Sequence, residues 1–249
     1  MTKANPFADL TFDDFRARAT DPSLSRHEKV GFPDSYRENL EGEIFRDIVS
    51  KLPGLQVAGR KVLEIGPGCS NLPVMLSQIC ERQGHELALV DSAEMLAQLP
   101  DAPHVWKCPG RFPDTPQLLE RWHGKADVII AYSVIQYVFA EGNLWDFLDR
   151  CLILLADGGE ILFGDVPNVT MRKRFFSSAA GVRYHQEFTG TSELPDVTFN
   201  RPEPGQIDDS VVLALLHRAR AQGYHAWVVP QSRELPMANR REDVLIRKP

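Results

Sequence analysis

The chain has 249 residues, 43% of them hydrophobic, and a formal net charge of −6. This length and apolar content suffice for one large core, or for a core with a modest appendage. The charge is not gathered into long blocks, which argues against a nucleic-acid-coating surface, and no uncharged apolar run is long enough to cross a bilayer. We therefore expect a cytoplasmic protein that binds neither nucleic acid nor membranes.

The cysteines argue against a metal or disulfide framework. Cys69, Cys80, Cys108 and Cys151 form no Cys-x-x-Cys pair and lie in apolar or site-adjacent segments. This usage is typical of reduced core thiols. The sequence therefore predicts no metal site.

The first sixty residues are predicted to be helical. Residues 12–19 and 40–52 have helical spacing of their apolar positions, and Pro22 and Ser23 mark a restart between them. We assign residues 1–58 to an N-terminal helical cap and residues 59–249 to the core domain.

Strand and helix patterns alternate after the cap. The predicted strands span residues 61–65, 87–91, 104–107, 127–131, 160–166, 224–229 and 243–246, and the predicted helices span residues 71–83, 93–99, 115–123, 144–155 and 209–222. Alternation predicts a parallel sheet with helices on both faces, and the short polar link between the last two strands predicts an antiparallel pair. The predicted fold class is thus α/β, a doubly wound, mostly parallel seven-stranded sheet with an antiparallel final strand.

Residues 169–206 interrupt this alternation after the fifth strand. They mix aromatic, glycine, threonine and proline residues, which suggests an inserted substrate lid. Three basic side chains lie at 172–174, near the start of this insertion. They could hold a phosphate or carboxylate of a substrate, or they could be an ordinary solvated helix face.

The most informative motif follows the first strand. Glu64 stands two residues before Gly66-Pro67-Gly68, and Asn71 then begins a helix. Glycines allow backbone conformations closed to other residues and lack the Cβ that would block a ligand. Asn71 is predicted to cap the helix.

This turn disfavours phosphate-rich ligands. A dinucleotide fingerprint requires a third glycine where Asn71 stands, and a P-loop requires a lysine, whereas no Lys or Arg occurs between Lys61 and Arg82. The acid at Glu64 instead suits a ligand that carries positive charge.

A second acid ends the second strand. Asp91, followed by Ser92, comes 23 residues after Gly68. Its carboxylate could accept hydrogen bonds from both hydroxyls of a ribose, or it could cap the next helix, for which Ser92 is an equally good candidate. A cationic ligand with a ribose and no phosphate describes S-adenosylmethionine (SAM).

Glu64, Gly66-x-Gly68 and Asp91 together resemble the first two motifs of the class I SAM-dependent methyltransferases. The resemblance covers residues 61–249, including the antiparallel ending, but no acid follows the third strand, where the family usually has one beside the adenine. It implies that the segment after the fourth strand lines the methionine end of SAM, and that an upstream arginine lies near the carboxylate of SAM. The predicted cofactor-binding residues are Glu64, Gly66, Pro67, Gly68, Asn71, Asp91, Ser92, Tyr132, Ser133 and Arg37.

Methyl transfer depends mostly on alignment of the reactants, although an alcohol or amine acceptor also loses a proton to a base. The candidate catalytic residues are Asp165, at the carboxyl end of the fifth strand, His185, in the loop beyond it, and Tyr137, which could orient a hydroxyl or simply pack beneath a helix. The predicted function is SAM-dependent methyl transfer to an oxygen or nitrogen of a small-molecule acceptor. The basic side chains at 172–174 leave open that this acceptor is anionic. The alternatives are a nicotinamide-dependent oxidoreductase and a non-catalytic partner protein with the same fold.

Overall fold

A computed structural model describes residues 10–201 and 203–249 of the chain. Its strands are β1 (Lys61–Ile65), β2 (Glu86–Asp91), β3 (Val105–Pro109), β4 (Ala126–Tyr132), β5 (Leu155–Pro167), β6 (His225–Pro230) and β7 (Arg241–Arg247). Its helices are α1 (Phe12–Thr20), α2 (Arg26–Lys29), α3 (Glu41–Lys51), α4 (Leu72–Gln83), α5 (Ala93–Leu96), α6 (Pro116–Trp122), α7 (Ile135–Glu141), α8 (Leu144–Leu154), α9 (Val169–Phe176), α10 (Ala179–Thr189) and α11 (Asp209–Ala221).

The strands form one sheet in the order β3-β2-β1-β4-β5-β7-β6. The first five strands in this order pair in parallel, and β7 pairs antiparallel with both β5 and β6. The predicted fold class is therefore confirmed. The chain runs outward from β1 to β3 and then returns to the other side of β1, so the strand order reverses between β1 and β4. In open α/β sheets, ligands bind at this point, outside the carboxyl ends of the strands.

Apolar side chains cover both faces of the sheet. Val62 and Leu63 are neighbours in β1 and belong to opposite core clusters, as expected for a strand that is buried on both faces. Helices α6, α8 and α11 contribute to one cluster. Helices α3 and α4 contribute to the other, so the last helix of the predicted cap packs on the core sheet.

Some elements differ from their predicted bounds. Strand β5 begins at Leu155 rather than at residue 160, because Leu155 already pairs with Ala126 at the start of β4. Helix α7 was not predicted, and the predicted lid at 169–206 holds helices α9 and α10. The four cysteines are buried and form no disulfide. Within the described ranges, no helix has the length and apolar character that a membrane span requires.

Two adjacent positions in α8 provide a test of this packing. Leu152 is 0% exposed and lies in the core, whereas Ile153 is 38% exposed. We expect Leu152→Ala to lower the free energy of unfolding by about 2–5 kcal/mol, because it removes buried methyl groups and leaves a cavity. The control, Ile153→Ala, is expected to cost less than about 1 kcal/mol. Urea denaturation measures both, and equal losses would contradict the orientation of α8.

Candidate functional site

A cleft opens at the carboxyl ends of β1, β2 and β4, where the strand order reverses. It contains about 1050 Å³ of empty space, a figure that includes the open solvent at its mouth. The lining side chains come from the N-terminal segment, the turn after β1, the ends of β2 and β3, and the β4–α7 junction. They are Phe12, Phe15, Val30, Phe32, Arg37, Ile65, Gly66, Pro67, Gly68, Ser70, Leu72, Val90, Asp91, Met95, Gly110, Arg111, Phe112, Tyr132, Ser133, Val134, Tyr137, Val138, Glu141 and Phe147.

The turn after β1 requires glycine at two positions. Gly66 and Gly68 have φ values of +68° and +63°, in the left-handed region. A Cβ at Gly66 would lie 2.6 Å from Val134, and one at Gly68 would lie 2.5 Å from Val30. The backbone of this turn therefore lies against the β4–α7 junction on one side and the N-terminal segment on the other.

Asp91 binds this turn directly. Its Oδ2 accepts the Gly68 N–H at 3.0 Å, and its Oδ1 accepts the Ser92 N–H at 2.6 Å. Burial raises the pKa of Asp91 to about 6, although the two N–H groups act in the opposite direction. The sequence left open which residue caps the next helix. It is Ser92, whose side chain accepts the Met95 N–H, while Asp91 lines the cleft.

Glu64 is a buried acid without a partner. Only 6% of the residue is exposed, and its Oε2 is fully buried with no hydrogen bond to any described residue. Burial, reinforced by the charge of Asp91, raises the pKa of Glu64 to about 8. Glu64 is not itself one of the lining residues. An unpaired buried carboxyl is costly, and a cation bound close to it would offset that cost.

A third acid, Asp165 in β5, organises the opposite side of the cleft. Its Oδ2 accepts hydrogen bonds from Arg37 Nη2 at 3.0 Å, Ser133 Oγ at 2.5 Å and Arg241 Nη1 at 2.8 Å. Asp165 and Ser133 have φ values of +58° and +60°. Non-glycine residues in this region cost on the order of 1–3 kcal/mol and cluster at functional sites.

Comparisons with known proteins bear on the fold. No family model and no curated protein matches the chain. Among solved structures, the plantazolicin methyltransferase BamL, in complex with a triazolic desmethylPZN analog and S-adenosylhomocysteine (SAH), has a TM-score of 0.56 and 15% identity over 95% of this chain and 97% of that one. This chain has the class I SAM-dependent methyltransferase fold.

Two further structures agree with this assignment. The CurJ carbon methyltransferase has a TM-score of 0.55 and 16% identity over 94% of this chain. A phosphoethanolamine N-methyltransferase 2 from Haemonchus contortus, in complex with phosphomonomethylethanolamine and SAH, has a TM-score of 0.52 and 12% identity over 96% of this chain. The chain spans 64% and 60% of the length of these two chains.

The groups around Asp165 bear on its predicted role as a general base. Burial alone would raise the pKa of Asp165, but Arg241 and Arg37 hold it below its usual value. Its Oδ2 already accepts three hydrogen bonds. A lowered pKa makes a carboxylate a weaker proton acceptor, and the catalytic role of Asp165 stays a prediction.

The other predicted catalytic residues lie apart. Tyr137 lines the cleft from α7, with its ring edge-on to Phe15 at 4.9 Å between centroids. The prediction that His185 lies in a loop is wrong, because aromatic side chains of α9 and α10 pack together and residues 179–189 form a helix. His185 lies half-buried beside Phe176 and does not line the cleft. Its catalytic role stays a prediction.

Asn71 also differs from its predicted role. It stands at the N-cap position of α4, but its side chain makes no capping hydrogen bond. Instead its Nδ2 donates to Glu41 Oε2 at 2.7 Å, because the carboxylate of α3 lies against the start of α4. Asn71 does not line the cleft, and cofactor binding by it stays a prediction.

The basic side chains at 172–174 are paired with acids rather than free to hold an anion. Arg172 and Lys173 both contact Glu203, at 2.8 and 2.9 Å, and Arg174 contacts Asp209 at 2.5 Å. None of the described residues of the predicted lid, 169–201 and 203–206, lines the cleft. The lid interpretation of this insertion therefore has no contact to support it.

The N-terminal segment covers the cleft instead. Its aromatic lining residues, Phe12, Phe15 and Phe32, were missed by the sequence reasoning. The positions of Phe12 and Phe15, three apart on α1, were the available signal. Arg16 of α1 pairs with Glu94 of α5 at 2.7 Å and so holds this segment beside β2.

The sequence analysis also missed Arg241 as a partner of Asp165, and nothing in its local sequence indicates that role.

No group of His, Cys, Asp and Glu suited to a metal ion occurs in the part of the chain that the structure describes.

The raised pKa of Glu64 predicts a pH-dependent stability. Because folding favours its protonated form, its contribution is complete below its ordinary pKa of 4.5 and is lost as the pH rises towards about 8. From about pH 5 to about pH 8, wild type should lose at least about 1 kcal/mol of unfolding free energy relative to Glu64→Gln. Urea denaturation across this range measures the difference.

The matched control is Glu81→Gln, an exposed acid on α4. Its stability should follow wild type at every pH. Parallel curves for wild type and Glu64→Gln would show that Glu64 is not a buried, unpaired acid.

Proposed function

We propose that this protein is a SAM-dependent methyltransferase that acts on a small-molecule acceptor. The observation that carries this proposal is the unpaired buried carboxyl of Glu64 next to a glycine turn that is bound by a second acid, Asp91. Two acids at such a turn fit a cationic nucleoside and disfavour a pyrophosphate. The methyltransferase fold supports the same conclusion.

The residues of the cleft fit SAM. Each oxygen of Asp91 accepts one N–H and keeps a lone pair for a ribose hydroxyl. In this proposal the buried carboxyl of Glu64, behind the lining, compensates the amino group of SAM, and Met95 and Phe112 offer apolar surface on the β2–β3 side for the base. When bound, SAM would supply a methyl group on a sulfonium sulfur, and the leaving group is the neutral thioether that this sulfur becomes.

The chain's own contribution is alignment and exclusion of water. Phe15, Val30 and Phe32 cover the turn after β1, and the β4–α7 junction with Tyr137 lies on the other side. We place the acceptor on this β4–β5 side, with methyl transfer to oxygen or nitrogen. A cytoplasmic location is part of the same proposal.

The alternatives are less well supported. A nicotinamide-dependent oxidoreductase would need a third glycine at Asn71 and cationic or neutral groups for a pyrophosphate, whereas the turn is flanked by Glu64 and Asp91. A non-catalytic partner protein is expected to have a degraded turn, but Gly66 and Gly68 are present in the left-handed conformation.

Calorimetry with SAH, SAM and NAD tests the cofactor class. We expect binding of SAH and SAM, and no comparable binding of NAD. Asp91→Ala should weaken SAH binding by about 1–3 kcal/mol, because it removes charge-assisted hydrogen bonds to the ligand. The control, Asp101→Ala, removes an exposed acid whose one ion-pair partner among the described residues is Lys107, and should bind as wild type. Strong NAD binding without SAH binding would refute the proposal.

The pH dependence of binding tests Glu64. The pKa of Glu64 is about 8 in the free protein, so a ligand ammonium that favours its ionised form must displace a proton. SAH affinity should therefore rise from about pH 6 to about pH 7.5, by at most about tenfold per pH unit. In Glu64→Gln the rise should be smaller and should level off above pH 7, because only Asp91, with its pKa of about 6, still titrates in this range. An equal slope in both proteins would exclude Glu64 from cofactor binding.

A further inference from the structure

Two arginines share one carboxylate at the β4–β5 side of the cleft. Arg37 and Arg241 both donate to Oδ2 of Asp165, and Arg241 also donates to its carbonyl oxygen at 3.0 Å. The guanidinium carbons of Arg37 and Arg241 lie 4.0 and 5.6 Å from the ring centroid of Phe32, which lines the cleft. Arg37 therefore lies at the wall of the cleft, and Arg241, which is not itself a lining residue, lies beside the same Phe32 ring and the same carboxylate.

Each guanidinium keeps donors to spare. The Arg37 side chain is only 7% exposed and lines the cleft, yet among the described residues it donates through Nη2 alone. Arg241 likewise donates only through Nη1 within the described ranges. Guanidinium groups match carboxylates with two parallel hydrogen bonds, so the remaining nitrogens of this largely buried pair suit a second anion.

The positions of the neighbouring acids are consistent with an anion site at these arginines. Asp165 is the acid that pairs with both arginines. Asp243 and Asp47 instead form ion pairs with Lys51, at 2.7 and 2.5 Å. Asp243 is fully buried and accepts the backbone N–H of Asp165, so it lies behind that residue. The cluster is neutral as a whole, and Arg37 is its one charged member among the described lining residues of the cleft.

Apart from Asp91, which the proposed function assigns to the ribose, the described lining residues offer no free general base. Glu141 accepts the Phe12 N–H at 3.2 Å and a hydrogen bond from Arg111 at 3.3 Å. Burial raises the pKa of Tyr137, so its phenolate is not available at neutral pH. No histidine is among the lining residues. An acceptor that is already ionised at neutral pH avoids this requirement.

We propose that Arg37 and Arg241 bind the carboxylate of an acceptor with an apolar body, and that the product is a methyl ester. This inference rests on the proposed function. A carboxylate oxygen bonds to the methyl carbon while the carbon–sulfur bond breaks, and sulfur keeps the electron pair. The charges of carboxylate and sulfonium cancel, and no proton is transferred. The aromatic side chains of Phe15, Phe32 and Tyr137 suit an apolar body.

Binding to the SAH-saturated protein tests the carboxylate site. The probes are phenylacetate, indole-3-acetate and octanoate, each compared with its primary amide by calorimetry. At least one acid should bind about tenfold or more tightly than its amide, the scale of one charge-assisted hydrogen bond. This preference should vanish in Arg241→Gln and return in part in Arg241→Lys. The control, Arg233→Gln, changes an exposed arginine and should keep it.

SAH affinity, measured first in every variant, separates this inference from the proposed function. SAH should bind Arg241→Gln as it binds wild type, and loss of SAH binding by wild type would refute the function itself. Arg37 was predicted to pair with the carboxylate of the cofactor, so a weaker SAH complex in Arg37→Gln would assign that arginine to the cofactor and leave Arg241 for the acceptor. Equal binding of acids and amides, no binding of any acid, or a preference that survives Arg241→Gln would overturn the carboxylate site.

The product provides an independent readout. With labelled SAM, an acid of the series should gain a methyl group that is released as methanol by mild alkali, as esters are. A label that is stable to alkali and appears on the matched alcohols or amines, but not on the acids, would overturn the methyl ester and leave the methyltransferase function intact.

Discussion

The carboxylate of Asp91 and the backbone N–H of Gly68 form the contact on which the cleft depends. It joins the end of β2 to the turn after β1, and the left-handed conformation of Gly68 makes this N–H available. The turn then lies between Val30 and Val134, with no room for a Cβ at either glycine. A ligand at this position would meet the backbone of the turn and the carboxylate of Asp91, with the buried acid Glu64 close behind the lining. That environment is favourable to a cation and unfavourable to a phosphate.

Hydrogen bonds to Asp165 organise the opposite side of the cleft. Asp165 accepts three hydrogen bonds on a single oxygen and so brings Arg37 from the N-terminal segment, Ser133 from the end of β4 and Arg241 from β7 into contact. Of the charged lining residues, Asp91 lies at the β1–β2 side and Arg37 at the β4–β5 side, while Arg111 and Glu141 pair with each other. A sulfonium nucleoside and an anionic acceptor placed on these two sides would each meet complementary charge.

Local patterns in the sequence sufficed for the fold and for the glycine turn. From residues 61–65 onward, predicted strands alternate with predicted helices, a pattern that a parallel sheet accommodates. Gly66 and Gly68 indicate a left-handed backbone conformation, which depends on those two residues alone. Local patterns did not decide the side-chain contacts whose partners are distant in sequence. Asn71 makes no cap because Glu41 lies beside it, and the basic side chains at 172–174 are paired because Glu203 and Asp209 lie beside them.

The sequence by itself determined the α/β class, the antiparallel ending and the acids at Glu64 and Asp91, because strand ends and glycine turns are set by neighbouring residues. Only the tertiary structure decided which segment covers the cleft and which side chains meet at Asp165. Arg37 and Arg241 converge there because an N-terminal segment folds over the sheet and β7 inserts between β5 and β6. Such contacts depend on the packing of whole elements, and no local pattern records them.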